Sequence, residues 1–469
     1  RFFIEKWLGL PHETGEVPRY ADKTMQEWIT DPQRKPLVLR GARQTGKTWL
    51  ARQLAKTAGK TLIEINFEAH PEFRSLFDTN EPAKIVRNIE FKLDSKIELR
   101  NSLLLLDEVQ MFPEVLAKLR WFYELLPELP VIAAGSLLDF ALADHSFSMS
   151  VGRIDYLHLE PLSFEEFLLA KGLDQSVAFL QEYSLPEKIP DAIHQKLLSV
   201  FREYVVIGGM PAAVSSWIET QSLENVSRIH NNLLLTYRDD FAKYAKRISI
   251  EHLEEILMAI PKMLGQKFVY SHVNPHTKTE TLKKALDLLC KARICYKIQV
   301  THANGLPLLA EVNKKYYKVG LVDTGLASSL LGLRLGHLES VYDLNLVNEG
   351  AISEQVIAQL LRCIEPDYVE PHHFYWCRAE KNSNAEIDFV MQHHHDIIPI
   401  EVKSGKTGSL KSLQQFMYLK KRKRAVRINA DIPNTMSVDL KTPAGASVVY
   451  QLLSIPFYLT EELHRLLDE

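Results

Sequence analysis

Gly41-Ala42-Arg43-Gln44-Thr45-Gly46-Lys47-Thr48 sets two glycines around four residues and closes on Lys-Thr. The glycines let the backbone turn so that consecutive N–H groups point at one anion. Lys47 would neutralise the outer phosphates of a nucleotide, and the Thr48 hydroxyl would ligate Mg²⁺. Pro36–Leu39 reads as a buried strand entering the loop. Thr48–Ala55 reads as a helix leaving it, so Trp49 lies in a first turn whose N–H groups also face the phosphates. Gly41, Ala42, Arg43, Gln44, Thr45, Gly46, Lys47, Thr48 and Trp49 are therefore the expected nucleotide contacts.

A nucleotide hydrolase needs a second strand that ends in acid. Leu103-Leu104-Leu105-Leu106 is apolar throughout, as a central parallel strand must be, and runs into Asp107-Glu108. Asp107 would hold Mg²⁺ through water, and Glu108 would polarise the attacking water. A third strand, Val131–Ala134, leads to Gly135-Ser136. Ser136 is either a group that reaches the γ-phosphate or a plain turn serine. Arg153 is either an arginine finger on a neighbouring subunit's ATP or a surface ion-pair arginine.

A second constellation lies near the C-terminus. Glu386–Val390 and Ile397–Lys403 read as a hairpin, with Asp388 on one strand and Glu401 and Lys403 on the next. Period-2 geometry puts Glu401 and Lys403 on one face. Converging carboxylates bind Mg²⁺ or Mn²⁺, a neighbouring lysine can activate water, and Glu354 on the preceding helix would complete the metal set. His393-His394-His395 at the hairpin tip reads as a solvated turn, because consecutive strand residues alternate faces and chelate poorly. Lys420–Arg424 is the strongest basic run: a backbone-tracking patch or a solvated helix end.

The elements around these residues must supply several domains, since 469 residues correspond to about three by the usual length prior. Apolar residues make up 46% and charged residues 25%, an ordinary globular mixture. A net charge of −3 gives no bulk argument for nucleic acid, so any such contact must be local. The four cysteines lack metal-type spacing and fit a reducing compartment, and the chain is read as cytoplasmic. No apolar run approaches the ~20 residues of a membrane span, and no signal peptide is visible in a chain that starts at Arg1. Residues 174–248 look helical, broken at Gly208-Gly209-Met210-Pro211. Leu253–Leu264, a turn at Asn274-Pro275-His276, a helix from Thr279 and the alternating Ile294–Val300 follow in order. Lys278, Lys283, Lys284, Lys291 and Arg293 make that second helix basic, to track phosphates or as a solvated face on a protein-binding module. Lys318–Leu326 reads as a turn that orients the last domain.

Thr48, Asp107-Glu108, Ser136 and Arg153 follow the order of Walker A, Walker B, sensor 1 and arginine finger in AAA-type ATPases. Gly41–Thr48, Leu106–Gln110, Gly135-Ser136, Gly152-Arg153 and Leu159–Phe167 together resemble a prokaryotic AAA-type family whose C-terminal region is a domain of unknown function, DUF4143. The resemblance implies ATP hydrolysis, and a ring of subunits in which Arg153 acts in trans. Asn313-Lys314-Lys315-Tyr316 lacks the aspartate of a guanine-reading motif, which favours ATP. The order helix, turn, helix, strand is that of a winged helix and agrees with this family. Glu354, Asp388 and Glu401-Val402-Lys403 resemble the PD-(D/E)XK nuclease superfamily, with Gln414 or Gln415 as the auxiliary polar position and no proline before Asp388. The expected fold class is α/β. A helical lead (1–35) precedes a P-loop NTPase core of AAA type (36–173). A helical and winged-helix middle (174–335) and a restriction-endonuclease-like α/β domain (336–469) follow. The partners expected are ATP and either DNA or a protein, with no membrane.

Overall fold

The computed structural model describes residues 17–138, 152–244, 248–333, 349–378, 385–405, 410–441 and 447–469. Residues 1–16 of the expected lead and the expected boundary at 335/336 lie outside them.

The first sheet contains β1 (Leu37–Arg40), β2 (Thr61–Asn66), β3 (Ser102–Asp107), β4 (Val131–Ala134) and β5 (Asp155–His158), in the order β2-β3-β4-β1-β5. Every neighbouring pair is parallel. Its strands are apolar on successive residues because both faces are covered. Val38, Leu104, Leu106 and Ala133 pack with Ile85, Ile89, Leu116 and Leu119 from the helices Pro82–Leu93 and Val115–Leu125. The alternate residues Leu39, Leu103, Leu105 and Ile132 pack with Met25, Trp28, Leu50 and Leu54 from Ala21–Thr30 and Lys47–Thr57. Inserting β4 between β1 and β3 aligns their C-terminal ends, where ligands sit in open α/β sheets.

The middle is helical, with Asp191–Ile207, Pro211–Thr220 and Leu223–Asp239 as its main elements. Next come Ile250–Ala259, the short Tyr270–Val273, Thr279–Lys291 and the antiparallel strands β6 (Cys295–Thr301) and β7 (Val312–Leu321). This is helix, turn, helix and a two-stranded ribbon. The ribbon does not stand apart. β6 pairs in parallel with β8 (His373–Cys377). The sheet then continues through β9 (Glu386–His393), β10 (Asp396–Val402), β11 (Arg424–Asn429), β12 (Asn434–Lys441) and β13 (Ser447–Pro456), in the order β12-β13-β11-β10-β9-β8-β6-β7. A single sheet therefore crosses the boundary expected at 335/336, since the free edge of β6 is completed by β8.

Two phrases that had no chemistry in the sequence meet in space. Asp323 is fully buried, caps the helix Thr324–Leu330 and accepts from the Gly209 N–H at 2.6 Å. Gly208 has φ +76°, and a Cβ there would lie 2.2 Å from Asp323 Oδ1, so only glycine fits. Val322-Asp323 thus anchors the Gly208–Pro211 break, while Lys318–Leu321 belongs to β7 rather than to a turn.

Candidate functional site

The nucleotide loop lies between β1 and Lys47–Thr57. Gln44 (φ 65°) and Gly46 (φ 97°) take the left-handed conformations that curl it. A Cβ on Gly41 would lie 2.3 Å from the Leu159 carbonyl, so the loop packs directly on β5's continuation. Thr45 is buried and its Oγ1 donates to the Ala42 carbonyl at 3.0 Å. Lys47 is buried and its ammonium donates to the carbonyls of Gly41 (3.1 Å) and Ala42 (2.6 Å). Burial pulls its pKa down to about 8, against the opposing pull of Glu108 and Asp107. The Thr48 hydroxyl lies 3.2 and 3.1 Å from the two oxygens of Asp107. Burial and then Glu108 raise the Asp107 carboxyl. Glu108 sits at φ 53° just past β3, and Gln110 Nε2 donates to its carboxylate.

Lys47, Thr48, Asp107 and Glu108 thus come together. Trp49 packs its ring against the Leu39–Leu50 core and leaves its backbone N–H in the helix's first turn. Ser136 is buried just past β4, and its hydroxyl has no hydrogen-bond partner among the described residues. The adjoining Gly135 lies so near Gln110 that a Cβ would meet its Oε1 at 2.6 Å. Arg153 is half exposed and pairs with Glu124 at 2.9 Å within this chain.

Three arginines tie this loop to the rest of the molecule. Arg43 donates to both oxygens of Asp240 at 2.7 and 2.8 Å, and Tyr237 donates to the Arg43 carbonyl at 3.1 Å. The loop therefore touches the end of Leu223–Asp239. Arg19, buried in the lead, donates to the Thr45 carbonyl (2.9 Å), the Glu160 carbonyl (2.6 Å) and Glu166 (3.1 Å). The sequence offered no signal for Arg19, because its partners lie far along the chain. Arg362, on Glu349–Cys363, makes a two-toothed contact with Glu160 at 2.9 and 2.8 Å. Burial alone would raise Glu160, but the guanidinium holds it at about 2. Glu166 also completes a capping box with Ser163, which accounts for much of the Leu159–Phe167 phrase.

The C-terminal carboxylates also gather, around a residue that the sequence reading treated as part of a turn. Lys318 of β7 is 1% exposed. Its Nζ lies 2.7 Å from Glu386, 3.0 Å from Glu354 and 3.9 Å from Asp388. The opposing charges raise its pKa strongly in spite of burial. Asp388 accepts from the Val402 N–H at 2.8 Å, and Glu401 accepts from Lys403 at 2.5 Å. The β9–β10 register sets Ile400 opposite Phe389, which brings Glu401 alongside Asp388. Burial and then Asp388 lift Glu354 to about 8 and Glu401 to about 7. Burial raises Asp388 as well, against Lys318. Glu354, Asp388 and Glu401 nonetheless do not offer ligand atoms close enough together to form a three-ligand metal group. The ammonium of Lys318 stands among the acids where a cation would. Lys318 and Glu386 were missed, although both left a signal. A lysine within Tyr317-Lys318-Val319-Gly320-Leu321 must be paired if the strand is buried, and Glu386 shares a strand face with Asp388.

The basic features divide. Lys278, Lys283, Lys284 and Lys291 are exposed along Thr279–Lys291, while Arg293 pairs with Glu370 at 3.1 Å. In Lys420–Arg424, three residues are turned to internal use. Lys420 donates to Asn304, Arg422 to the Ala303 and Asn304 carbonyls, and Arg424 to the Leu467 carbonyl. That run is thus mainly a staple, with Lys421 and Lys423 left exposed. Among the described residues, no helix is long and apolar enough to cross a membrane.

Residues 33–168 match the family model described as an AAA domain. Residues 198–335 and 349–439 match two domains of unknown function, DUF8612 and DUF4143. An uncharacterised protein of Haemophilus influenzae is 22% identical over 430 residues, 88% of this chain and 92% of that protein. A Walker-type ATPase of Pyrococcus abyssi is 15% identical at a TM-score of 0.42, over 67% of this chain and 96% of that one. The ORC2 protein of Aeropyrum pernix is 13% identical at 0.35, over 68% and 92%. The family-model match over residues 33–168, on a parallel β2-β3-β4-β1-β5 sheet, makes this part of the chain an AAA-type, P-loop ATPase core.

Proposed function

We propose that the chain hydrolyses ATP at Gly41–Thr48, Asp107 and Glu108, and couples turnover to DNA through its winged helix. The observation that carries the first half is the convergence of Lys47, Thr48, Asp107 and Glu108 at the ends of β1 and β3. The hydroxyl of Thr48 and the carboxylate of Asp107, 3.1–3.2 Å apart, are the hard oxygen pair that suits Mg²⁺. Thr48 and Asp107 would hold the ion, whose positive charge would offset that of the phosphates. The loop N–H groups and Lys47 hold the phosphates. Glu108, steadied by Gln110, orients the water and takes its proton. Ser136 supplies a hydroxyl just past β4, the strand paired with β1. Arg153 would have to leave Glu124 to reach a neighbouring subunit's nucleotide in a ring. Arg43–Asp240 and Glu160–Arg362 are the contacts that would carry nucleotide state to the helical middle and the C-terminal sheet. The exposed lysines of Thr279–Lys291 supply the phosphate-tracking face.

For the C-terminal domain, Lys318 favours a regulatory switch without cleavage. A buried ammonium already neutralises the acids that Mg²⁺ or Mn²⁺ would need. The competing reading is a metal-dependent nuclease using Glu354, Asp388, Glu401 and Lys403, with Lys318 displaced. It keeps support from Lys403, which sits on Glu401 as a water-activating lysine would. In the decisive experiment Glu108→Gln should bind ATP and lose turnover, while Lys47→Ala should lose binding; turnover in Glu108→Gln equal to wild type refutes the ATPase assignment. Labelled single- and double-stranded DNA, incubated with Mg²⁺ or Mn²⁺ with and without ATP, should stay uncut. Cleavage that Asp388→Ala abolishes would establish the nuclease instead.

A further inference from the structure

The hairpin tip that reads as a solvated turn is built differently. His393 is the last residue of β9 and is 2% exposed. His394 takes φ +52°, which breaks the alternation of the strand and brings its ring to the same side, with the two ring centroids 4.3 Å apart. Both imidazoles then aim Nε2 at one atom: His393 and His394 each lie 2.9 Å from Oδ1 of Asp468, on the helix Leu463–Asp468. These three ligand atoms all lie within 4.8 Å of one another, the three-ligand grouping found among the described residues. The other nitrogen of His393 is also engaged: its Nδ1 lies 3.0 Å from Nδ1 of His464, and the two rings are stacked.

We propose that His393, His394 and Asp468 bind a divalent transition ion, Zn²⁺ foremost, with His464 as the outer partner that orients His393. Two imidazoles and a carboxylate form a donor set that suits Zn²⁺ and disfavours the all-oxygen ions Mg²⁺ and Ca²⁺. Metal–ligand bonds of about 2.0–2.1 Å in a tetrahedron set the ligand atoms about 3.3 Å apart, a few tenths of an ångström beyond the 2.9 Å contacts seen. With Nε2 of His393 on the metal, its Nδ1 must carry the proton, and His464 Nδ1 is placed to accept it, as ligating histidines require. Asp468 lies 75 and 74 residues further along the chain than the two histidines. The ion would clamp the last helix to the β9–β10 turn, where Arg424 already holds the Leu467 carbonyl. His394 and His464 also line a cavity of about 360 Å³ whose other walls include His372 and His373. The fourth metal position would therefore be filled by water or by a ligand from that cavity.

The test is Zn²⁺ titration of the full, nucleotide-free chain against a chromophoric chelator, with Co²⁺ absorption reporting the ligand set. One ion per chain at submicromolar affinity is expected. His394→Ala and Asp468→Ala, both at half-exposed or exposed positions that leave the core intact, should each weaken binding by at least ~100-fold, and His464→Phe by about 10–100-fold. Asp388→Ala should leave it unchanged. The proposal is overturned if no stoichiometric ion binds, if binding survives both His394→Ala and Asp468→Ala, or if Asp388→Ala is the variant that removes it.

Discussion

Replacing Lys318 by Met removes a buried cation from among Glu354, Glu386 and Asp388, and the structure sets the size of the effect. At an effective dielectric of about 20, contacts of 2.7, 3.0 and 3.9 Å to Glu386, Glu354 and Asp388 correspond to about 4–6 kcal/mol each between full charges. Desolvating the 1%-exposed ammonium costs several kcal/mol, and burial, then Asp388, raise the Glu354 carboxyl, which weakens its share of the pairing. The net penalty for stranding the acids should be about 3–5 kcal/mol, the range for breaking a buried ion pair. Urea unfolding followed by tryptophan fluorescence would read it, since Trp376 lies on β8 beside this cluster. The variant also makes room for a real cation. Millimolar Mn²⁺ should restore part of the lost stability in Lys318→Met, do nothing for wild type, and fail in Lys318→Met with Asp388→Asn. A Lys318→Met protein as stable as wild type, or one that Mn²⁺ does not stabilise, would refute the view that the lysine stands in the place of a metal.

Glu160 offers a pH test. Its carboxyl is held at about 2 in the fold against an ordinary 4.5, so it contributes stability that is full above about pH 4.5 and lost as pH falls toward 2. The stability gap between wild type and Glu160→Gln should be about 3 kcal/mol at pH 7 and shrink markedly by pH 3; a gap that does not change with pH contradicts the ion-pair account. Arg43→Ala should leave ATP affinity within a few-fold yet make hydrogen exchange in Leu223–Asp239 insensitive to nucleotide, because it cuts the contact with Asp240; a persisting nucleotide response would show another route. Arg153→Ala mixed with Glu108→Gln tests the ring: if the finger acts in trans, the Glu108→Gln subunit lends its Arg153 to a neighbour with an intact Glu108, so the mixture should turn over more ATP than the sum of the two variants alone, whereas strictly additive activities count against it.

The phosphate-binding loop was legible because its chemistry is local. Eight consecutive residues carry the turns, the lysine and the hydroxyl, and the adjoining strand and helix follow from apolar patterning. The Asp107-Glu108 strand was legible for a similar reason: four leucines in a row that end in two acids suit a short strand covered on both faces. The hairpin of Asp388 and Glu401 also followed from period-2 alternation. What sequence periodicity cannot express is which distant element closes a site. Lys318 reaches Glu354 and Glu386 only because β6 and β7 join the same sheet as β8 to β10, across a boundary that the sequence suggested lay between them. Arg19 reaches Thr45 and Glu166 across a fold that returns β5 beside β1. His393 and His394 were read as alternating, and it took one left-handed residue and a helix some 70 positions further on to aim them at Asp468. Sequence alone determined that this chain carries a nucleotide loop and a set of C-terminal acids. Tertiary structure decided what neutralises those acids, because burying a carboxylate demands a partner and says nothing about where along the chain that partner lies.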